Sequence, residues 1–143
     1  MAGSLEDYPL VLRQSVLWGD MDAYGHVNNT VYFRYFEDAR MAYFDRVGVS
    51  QYREKYQAGP ILASTRCDFR QPLSYPENIS IAVLALVTGP KKIEFQYAVY
   101  SENTGLLVAE GASLVVFYDY QKQASCDIPD AIVAEIASFK GAG

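Results

Sequence analysis

Thr30-Val31-Tyr32-Phe33-Arg34-Tyr35-Phe36-Glu37-Asp38-Ala39-Arg40-Met41-Ala42-Tyr43-Phe44-Asp45-Arg46-Val47 decides the fold. Tyr32, Tyr35 or Phe36, Ala39, Ala42 or Tyr43 and Val47 recur every three or four residues, the spacing of a helix that buries one face. Val31, Phe33, Met41 and Phe44 widen the apolar arc well past one stripe. A helix apolar nearly all round has to be wrapped by other structure. Asn28 or Asn29 offers the side-chain oxygen of an N-cap, and Gly48 the residue that ends such a helix. Ser50 to Gln57 is a shorter, more polar helical stretch.

The flanking sequence supplies the wrapping. Tyr8 to Leu17 is mostly apolar and β-capable, which predicts a strand. Ile61, Ala63, Thr65, Cys67 and Phe69 alternate with Leu62, Ser64, Arg66, Asp68 and Arg70, a period of two. Ile79 to Thr88 and Ile93 to Ser101 are further strands, separated by the turn Gly89-Pro90-Lys91-Lys92. Glu102-Asn103-Thr104-Gly105 turns the chain into a long strand, Leu106 to Tyr120, with a bend expected near Gly111. Ile128 to Phe139, with Pro129 near its first turn, is a short terminal helix. Strands joined by tight turns pair antiparallel. A strand, a long helix, then four strands and a short helix is an α+β order, not the alternation of a doubly wound sheet. The simplest architecture is one antiparallel sheet curled around the helix. Ile79 to Val87 and Leu106 to Tyr118 are apolar on both faces. One face covers the helix and the other calls for a partner, so homo-oligomers are expected.

Composition removes several function classes. The 143 residues are 50% hydrophobic and evenly composed from Tyr8 to Phe139, which predicts a single domain over 1–143. The 12 Lys and Arg against 17 Asp and Glu give a net charge of −5, the wrong sign for a general nucleic-acid or anionic-membrane binder. One His and two Cys (Cys67 and Cys126), without CxxC or HxxxH spacing, predict no metal site. No apolar run approaches the roughly 20 residues that cross a bilayer. The opening Met1-Ala2-Gly3-Ser4-Leu5-Glu6-Asp7 lacks the basic-then-apolar order of a signal peptide, so a cytoplasmic protein with free thiols is expected.

The chemistry then narrows to one loop. Neither a Gly-rich phosphate loop nor a GxSxG elbow occurs, and Cys67 and Cys126 read as inert thiols. Trp18-Gly19-Asp20-Met21-Asp22-Ala23-Tyr24-Gly25-His26-Val27-Asn28-Asn29 holds two Gly, two Asp and two Asn, with the chain's one Trp and one His. It ends at the N-terminus of the long helix, where unpaired N–H groups favour negative charge. Asp22 lies seven residues before Asn29, near enough to fold back toward that terminus. A carboxylate beside an oxyanion-stabilising helix end is a minimal acyl-transfer site. Structural uses compete for the same residues. Asp and Asn close Asx-turns and cap helices, Trp18 reads as core, and the helix tyrosines pack, although one near the N-terminus can line a pocket. Arg34 and Glu37 are spaced to pair, and Lys91-Lys92 is explained by solvation of a turn.

At this loop the chain resembles a known family. Trp18 to Asn29, followed by Tyr32, Tyr35, Phe36 and Glu37, is similar to the hotdog-fold acyl-CoA thioesterases, most of all their 4-hydroxybenzoyl-CoA thioesterase branch. The match is dense and contiguous, and it extends to Gly105-Leu106-Leu107-Val108-Ala109-Glu110-Gly111 and the proline near the last helix. The resemblance implies a hotdog fold, in which a curled antiparallel sheet surrounds the long helix. It implies homodimers with one continuous sheet, commonly paired into homotetramers, with the active site at the dimer interface. Asp22 takes the place of the catalytic carboxylate, and the backbone N–H near Asn29 that of the group polarising the thioester carbonyl. His26 is a candidate to orient water or the loop, and Tyr24 and Tyr32 are candidates for the acyl pocket. Lys91 and Lys92, with Lys122 as a further candidate, match the region that meets the phosphates of coenzyme A. No cofactor is implied, coenzyme A being part of the substrate. Ala23-Tyr24-Gly25-His26-Val27 departs from the Pro-Ala-Gly-Ile-Val stretch common in the benzoyl type, and His-Val-Asn-Asn is shared with acyl-ACP thioesterases.

The expected activity is hydrolysis of acyl-CoA to free acid and CoA, with Asp22 as nucleophile or general base. An exposed carboxylate, with a pKa of about 3.9, is a weak base at neutral pH, which makes direct attack attractive. A thiol leaving group, with a pKa of about 8.5, needs little acid help. The alternatives are an acyl-ACP thioesterase, which the negative charge slightly disfavours, and a non-catalytic acyl- or CoA-binding hotdog module, which would have no need of Asp22.

Overall fold

Asn28 starts the long helix. Its Oδ1 accepts from Thr30 N at 2.9 Å and from Thr30 Oγ1 at 2.7 Å. The helix, α1 (Asn29–Val47), ends where Gly48 takes φ 88° and donates its N–H to the Phe44 carbonyl. α2 (Val49–Tyr56) follows at once. The computed structural model describes residues 4–139; Met1, Ala2 and Gly3, part of the N-terminal stretch read above, lie outside the described residues.

The strands are β1 (Leu10–Ser15), β2 (Ala58–Phe69), β3 (Asn78–Val87), β4 (Lys92–Ser101), β5 (Leu107–Asp119) and β6 (Ala124–Ser125), before a last helix, α3 (Asp130–Ser138). All pair antiparallel in the order β1-β3-β4-β5-β2, with β6 on the end of β5. The curled antiparallel sheet around one long helix is therefore the observed architecture. Tyr32, Tyr35, Phe36, Ala39, Tyr43, Phe44 and Val47 of α1 share one core with Ile81, Phe95, Tyr97, Val115 and Phe117 of the sheet. Phe36 stacks on Tyr97 at 4.4 Å between centroids, and Tyr43 and Phe44 meet Phe95 edge-on. The core joins α1 to β3, β4 and β5, so the N-terminus of α1 is held against fixed structure.

Several expectations need correction. Trp18 is not core: it is 73% exposed, because the loop that carries it runs outside the helix–sheet interface. Met41 is exposed too, since α1 leaves one side uncovered. Tyr8 lies outside β1 and is buried with Ala82 and Ala98. Those alanines alternate with the core-facing residues of β3 and β4, so Tyr8 covers part of the sheet's other face. The ladders run through Gly111 in register, and the irregularities fall at Leu62/Ser64 and Val99/Tyr100. Gly111 answers to close packing rather than to a bend, as its Phe36 contact shows. The two-residue β6 carries too little pattern to be read from sequence.

Candidate active site

The loop before α1 is ordered by its own backbone. Trp18–Asp20 forms a 3-10 turn, in which Asp20 N donates to the Leu17 carbonyl and Leu17 N donates to Asp20 Oδ2 at 3.1 Å. Met21 and Val27 then pair as a short antiparallel bridge. Inside it, Asp22 N donates to the His26 carbonyl at 2.8 Å and Gly25 N to the Asp22 carbonyl at 3.1 Å. Gly25 has φ +79°, a conformation that L side chains rarely adopt. Asp22 Oδ1 accepts from Tyr24 N at 2.8 Å and from His26 N at 3.4 Å. The structural and the chemical readings of Asp22 are therefore compatible: one oxygen closes an Asx-turn, and Oδ2 has no hydrogen-bond partner among the described residues.

The same count applies to the helix end. Asn28 takes the N–H of Thr30 with its side chain and that of Val31 with its carbonyl. The Asn29 N–H is left without an acceptor among the described residues, as the first donor of a capped helix usually is. Asp22 and Asn29 line one cleft of about 400 Å³, with Val27, Tyr32, Phe69, Arg70, Gln71 and Pro72. Tyr32 is packed edge-on against Phe69 at 5.1 Å, and burial pushes its phenol up to about 12, so the ring presents a neutral wall.

The far wall comes from the link between β2 and β3. Its fit is fixed by Val27 N to the Leu73 carbonyl at 2.8 Å, by Ser74 Oγ to the Gly25 carbonyl at 2.8 Å, and by Arg70 N to the Val108 carbonyl at 2.8 Å. The half-exposed Arg70 guanidinium pairs with Glu110 at 2.8 Å, and that partner raises its pKa further, so it stays charged. Phe69, Gln71 and Pro72 were missed as wall residues. The only signal was the break after Arg70, where the period of two gives way to a proline.

The other candidates are dispersed. Tyr24 is 87% exposed and does not line the cleft. His26 is exposed and touches Asp22 through its backbone N–H. Arg34 does not pair with Glu37; its Nη2 lies 2.6 Å from Asp20 Oδ1, because the buried carboxylate is the stronger acceptor site. Lys91, Lys92 and Lys122 gather at the opposite end of the sheet. There Lys91 Nζ donates to Ser125 Oγ at 3.3 Å, and Lys91 and Lys122 both act on the Cys126 thiol. Phe69 pairs with Ala109, whereas Lys92 pairs with Val116, seven residues on along β5. At about 3.3 Å per residue that is roughly 23 Å within one chain. Cys67 is half-buried, and burial pushes its thiol up to about 11, the direction of an unreactive cysteine. Among the described residues no three His, Cys, Asp or Glu side chains are grouped to hold a metal ion, and no helix is long and apolar enough to cross a membrane.

Residues 16–136 match the family model described as the thioesterase-like superfamily. YsmA of Bacillus subtilis is 33% identical over 86 residues, which is 59% of this chain and 56% of that protein, so the match spans little more than half of its length. The PA2801 protein of Pseudomonas aeruginosa, a candidate thioesterase, superposes with a TM-score of 0.79 at 30% identity, covering 88% of this chain and 96% of that one. A thioesterase of Thermus thermophilus, solved with coenzyme A and zinc, superposes with a TM-score of 0.83 at 25% identity, covering 96% and 98%.

Proposed function

Because the chain belongs to the thioesterase-like superfamily, we propose that it hydrolyses acyl-CoA thioesters in the cleft between Asp22 and the N-terminus of α1. The observation that carries this reading is the shared wall of that cleft: a carboxylate with one oxygen uncommitted and a helix N–H without an acceptor.

In this reading the thioester carbonyl oxygen sits against the Asn29 N–H, and the helix dipole stabilises the charge that develops there. Two routes use the same atoms. In one, Asp22 Oδ2 attacks the carbonyl carbon, the C–S bond breaks, CoA leaves as thiolate and takes a proton from solvent, and water then cleaves the acyl–Asp22 anhydride. In the other, Asp22 removes a proton from water as it attacks, and the acid and thiol form in one sequence. Oδ1 stays in its hydrogen bonds with Tyr24 and His26 throughout, which keeps Oδ2 aimed without reorganisation. His26 acts here by closing the turn with its backbone. Tyr32 and Phe69 form the acyl wall nearest the carbonyl, while Tyr24 lies off it. Coenzyme A is part of the substrate and no further cofactor is used.

The lysines enter this scheme across two chains. Lys91 and Lys92, with Lys122 beside them, stand at the end of the sheet away from Phe69, the β2 residue of their own cleft. β2 is an edge strand, and a dimer joined along it would bring a second subunit's lysines toward the cleft. A cytoplasmic homodimer, with homotetramers built from it, is the assembly proposed.

The test is thiol release from a panel of aliphatic and aromatic acyl-CoAs by wild type and Asp22→Asn. Turnover by wild type and a loss of orders of magnitude in the folded variant is the expected result. Equal rates would move the chemistry to another carboxylate, Glu37 first. No turnover on any CoA ester would favour a carrier-protein substrate or a binding module. Single-turnover hydrolysis in labelled water tests the covalent route: label in Asp22 marks an anhydride opened at its aspartyl carbonyl, whereas label in the product acid alone is given both by the general base and by an anhydride opened at the acyl carbonyl.

A further inference from the structure

Asp20, two residues before the proposed catalytic carboxylate, is tied to more of the site's framework than Asp22 itself. It is only 6% exposed and does not line the cleft. Its Oδ2 accepts from Leu17 N at 3.1 Å, where the loop begins. Its Oδ1 accepts from Arg34 Nη2 at 2.6 Å, on the second turn of α1. Its backbone carbonyl accepts from Asn28 N at 2.9 Å, at the residue that caps α1. The beginning of the loop, its end and the helix thus converge on one residue.

We propose that Asp20, gripped by Arg34, is a positioning residue that holds Asp22 and the Asn29 N–H in register with each other. This rests on the reading of Asp22 and Asn29 given above. Between Leu17 and Asn28 the chain includes Gly19 and Gly25, so holding this segment in one shape costs conformational entropy. Short contacts such as the Met21–Val27 bridge shape the loop internally but do not join it to α1. The Asp20–Arg34 ion pair does. Tyr35 reports the same proximity from below: its buried phenol is held up first by burial and then by the Asp20 charge. A carboxylate buried this deeply needs its partner, since one left alone would be uncompensated. The pair therefore fixes the distance across which the carbonyl must be both attacked and polarised. A misplacement on the order of 1 Å in such a site can cost about 100-fold in rate.

The experiment compares kcat and KM for wild type, Asp20→Asn, the double variant Asp20→Asn/Arg34→Gln, and Asp22→Asn. The substrate is the acyl-CoA or acyl-N-acetylcysteamine thioester that wild type turns over fastest, and rates are expressed per folded protein from circular dichroism and thermal melting. Asp20→Asn should lower kcat by about 10- to 100-fold with KM within about threefold, because orientation is lost rather than binding. The double variant replaces the ion pair by two amides that can still hydrogen-bond, and it should recover kcat at least about fivefold over Asp20→Asn. A folded Asp20→Asn with wild-type kcat overturns the proposal, as does a double variant that folds and recovers nothing. If Asp22→Asn matches wild type, or wild type turns over no ester, the reading beneath the proposal fails instead, whatever Asp20 shows.

Discussion

The ring of Phe36 lies so close over Gly111 that a Cβ on that glycine would stand 2.6 Å from Phe36 Cε2 and collide with the Arg66 carbonyl. α1 and the sheet meet here with no room for a methyl group. Gly111→Ala should therefore destabilise the fold by about 1–3 kcal/mol or more through overpacking. Urea denaturation checks this, and Phe36→Leu in the Gly111→Ala background should return part of the loss. A Gly111→Ala protein as stable as wild type would contradict both contacts, the Phe36 ring above and the Arg66 carbonyl of β2 beside it.

Much of this was legible in the sequence, and the reasons are local. The three-to-four spacing from Tyr32 to Val47 gave α1, and Asn28 and Gly48 marked its ends, because helix caps depend on single side chains and single φ values. The Glu102–Gly105 turn and the Asp22-to-Asn29 spacing are likewise short-range. What was not legible depends on residues distant in sequence. Trp18 has the composition of a core residue, and only the path of the loop leaves it outside. Arg34 had Glu37 one helical turn away, yet pairs with Asp20, which reaches it only after the loop folds back. Gln71 and Pro72 enter the cleft because Val27 and Leu73 hydrogen-bond, a contact across 46 positions that no periodicity encodes.

A buried cation tests the core differently. Arg40 is 7% exposed and donates from Nη1 to the Tyr97 hydroxyl at 3.0 Å, with no carboxylate in ion-pair distance among the described residues. Tyr97→Phe should cost roughly 1.5–3 kcal/mol, since it removes a hydrogen bond to a charged group. In an Arg40→Met background the same change should cost much less, because no charge is left unmet. Equal costs in the two backgrounds, read from urea denaturation, would mean that the pair contributes nothing.

Alkaline pH acts on the buried phenols. Burial pushes Tyr8, Tyr32 and Tyr43 each up to about 12, from an ordinary value near 10. Raised values mean that the folded chain keeps protons which the unfolded chain releases. Their contribution is fully present below about pH 10 and is lost as pH rises toward about 12. Tyrosinate absorbance should rise in two stages, exposed phenols first and the buried set together with unfolding. A denaturation midpoint that does not fall between about pH 9 and pH 11 contradicts this.

The helix cap links stability to rate. Asn28→Ala removes the acceptor of both Thr30 donors and should cost about 1 kcal/mol, read as a lower melting temperature. It also frees the first turn that carries the Asn29 N–H, so kcat should fall while KM changes little. Asn28→Asp keeps the acceptor and should retain the melting temperature. An Asn28→Ala enzyme of unchanged kcat would separate the cap from the chemistry.

The proposed assembly predicts that two defective chains can repair each other. Phe69 of the cleft and Lys92 are roughly 23 Å apart along one chain's sheet by strand register at about 3.3 Å per residue, and in the proposed dimer the lysines serve the other subunit's cleft. Lys91→Glu/Lys92→Glu should raise KM and spare kcat, whereas Asp22→Asn should abolish kcat. In a mixed dimer of the two variants, the first supplies an intact Asp22 and the second intact lysines. One of the two clefts is then complete, so at low substrate about half of the wild-type rate should return. Co-expression with two different tags isolates the mixed species for assay. If each chain's lysines served its own Asp22, neither cleft would be whole. The mixed dimer would then give no more than half the residual rate of the lysine variant, and the cross-subunit site would be refuted.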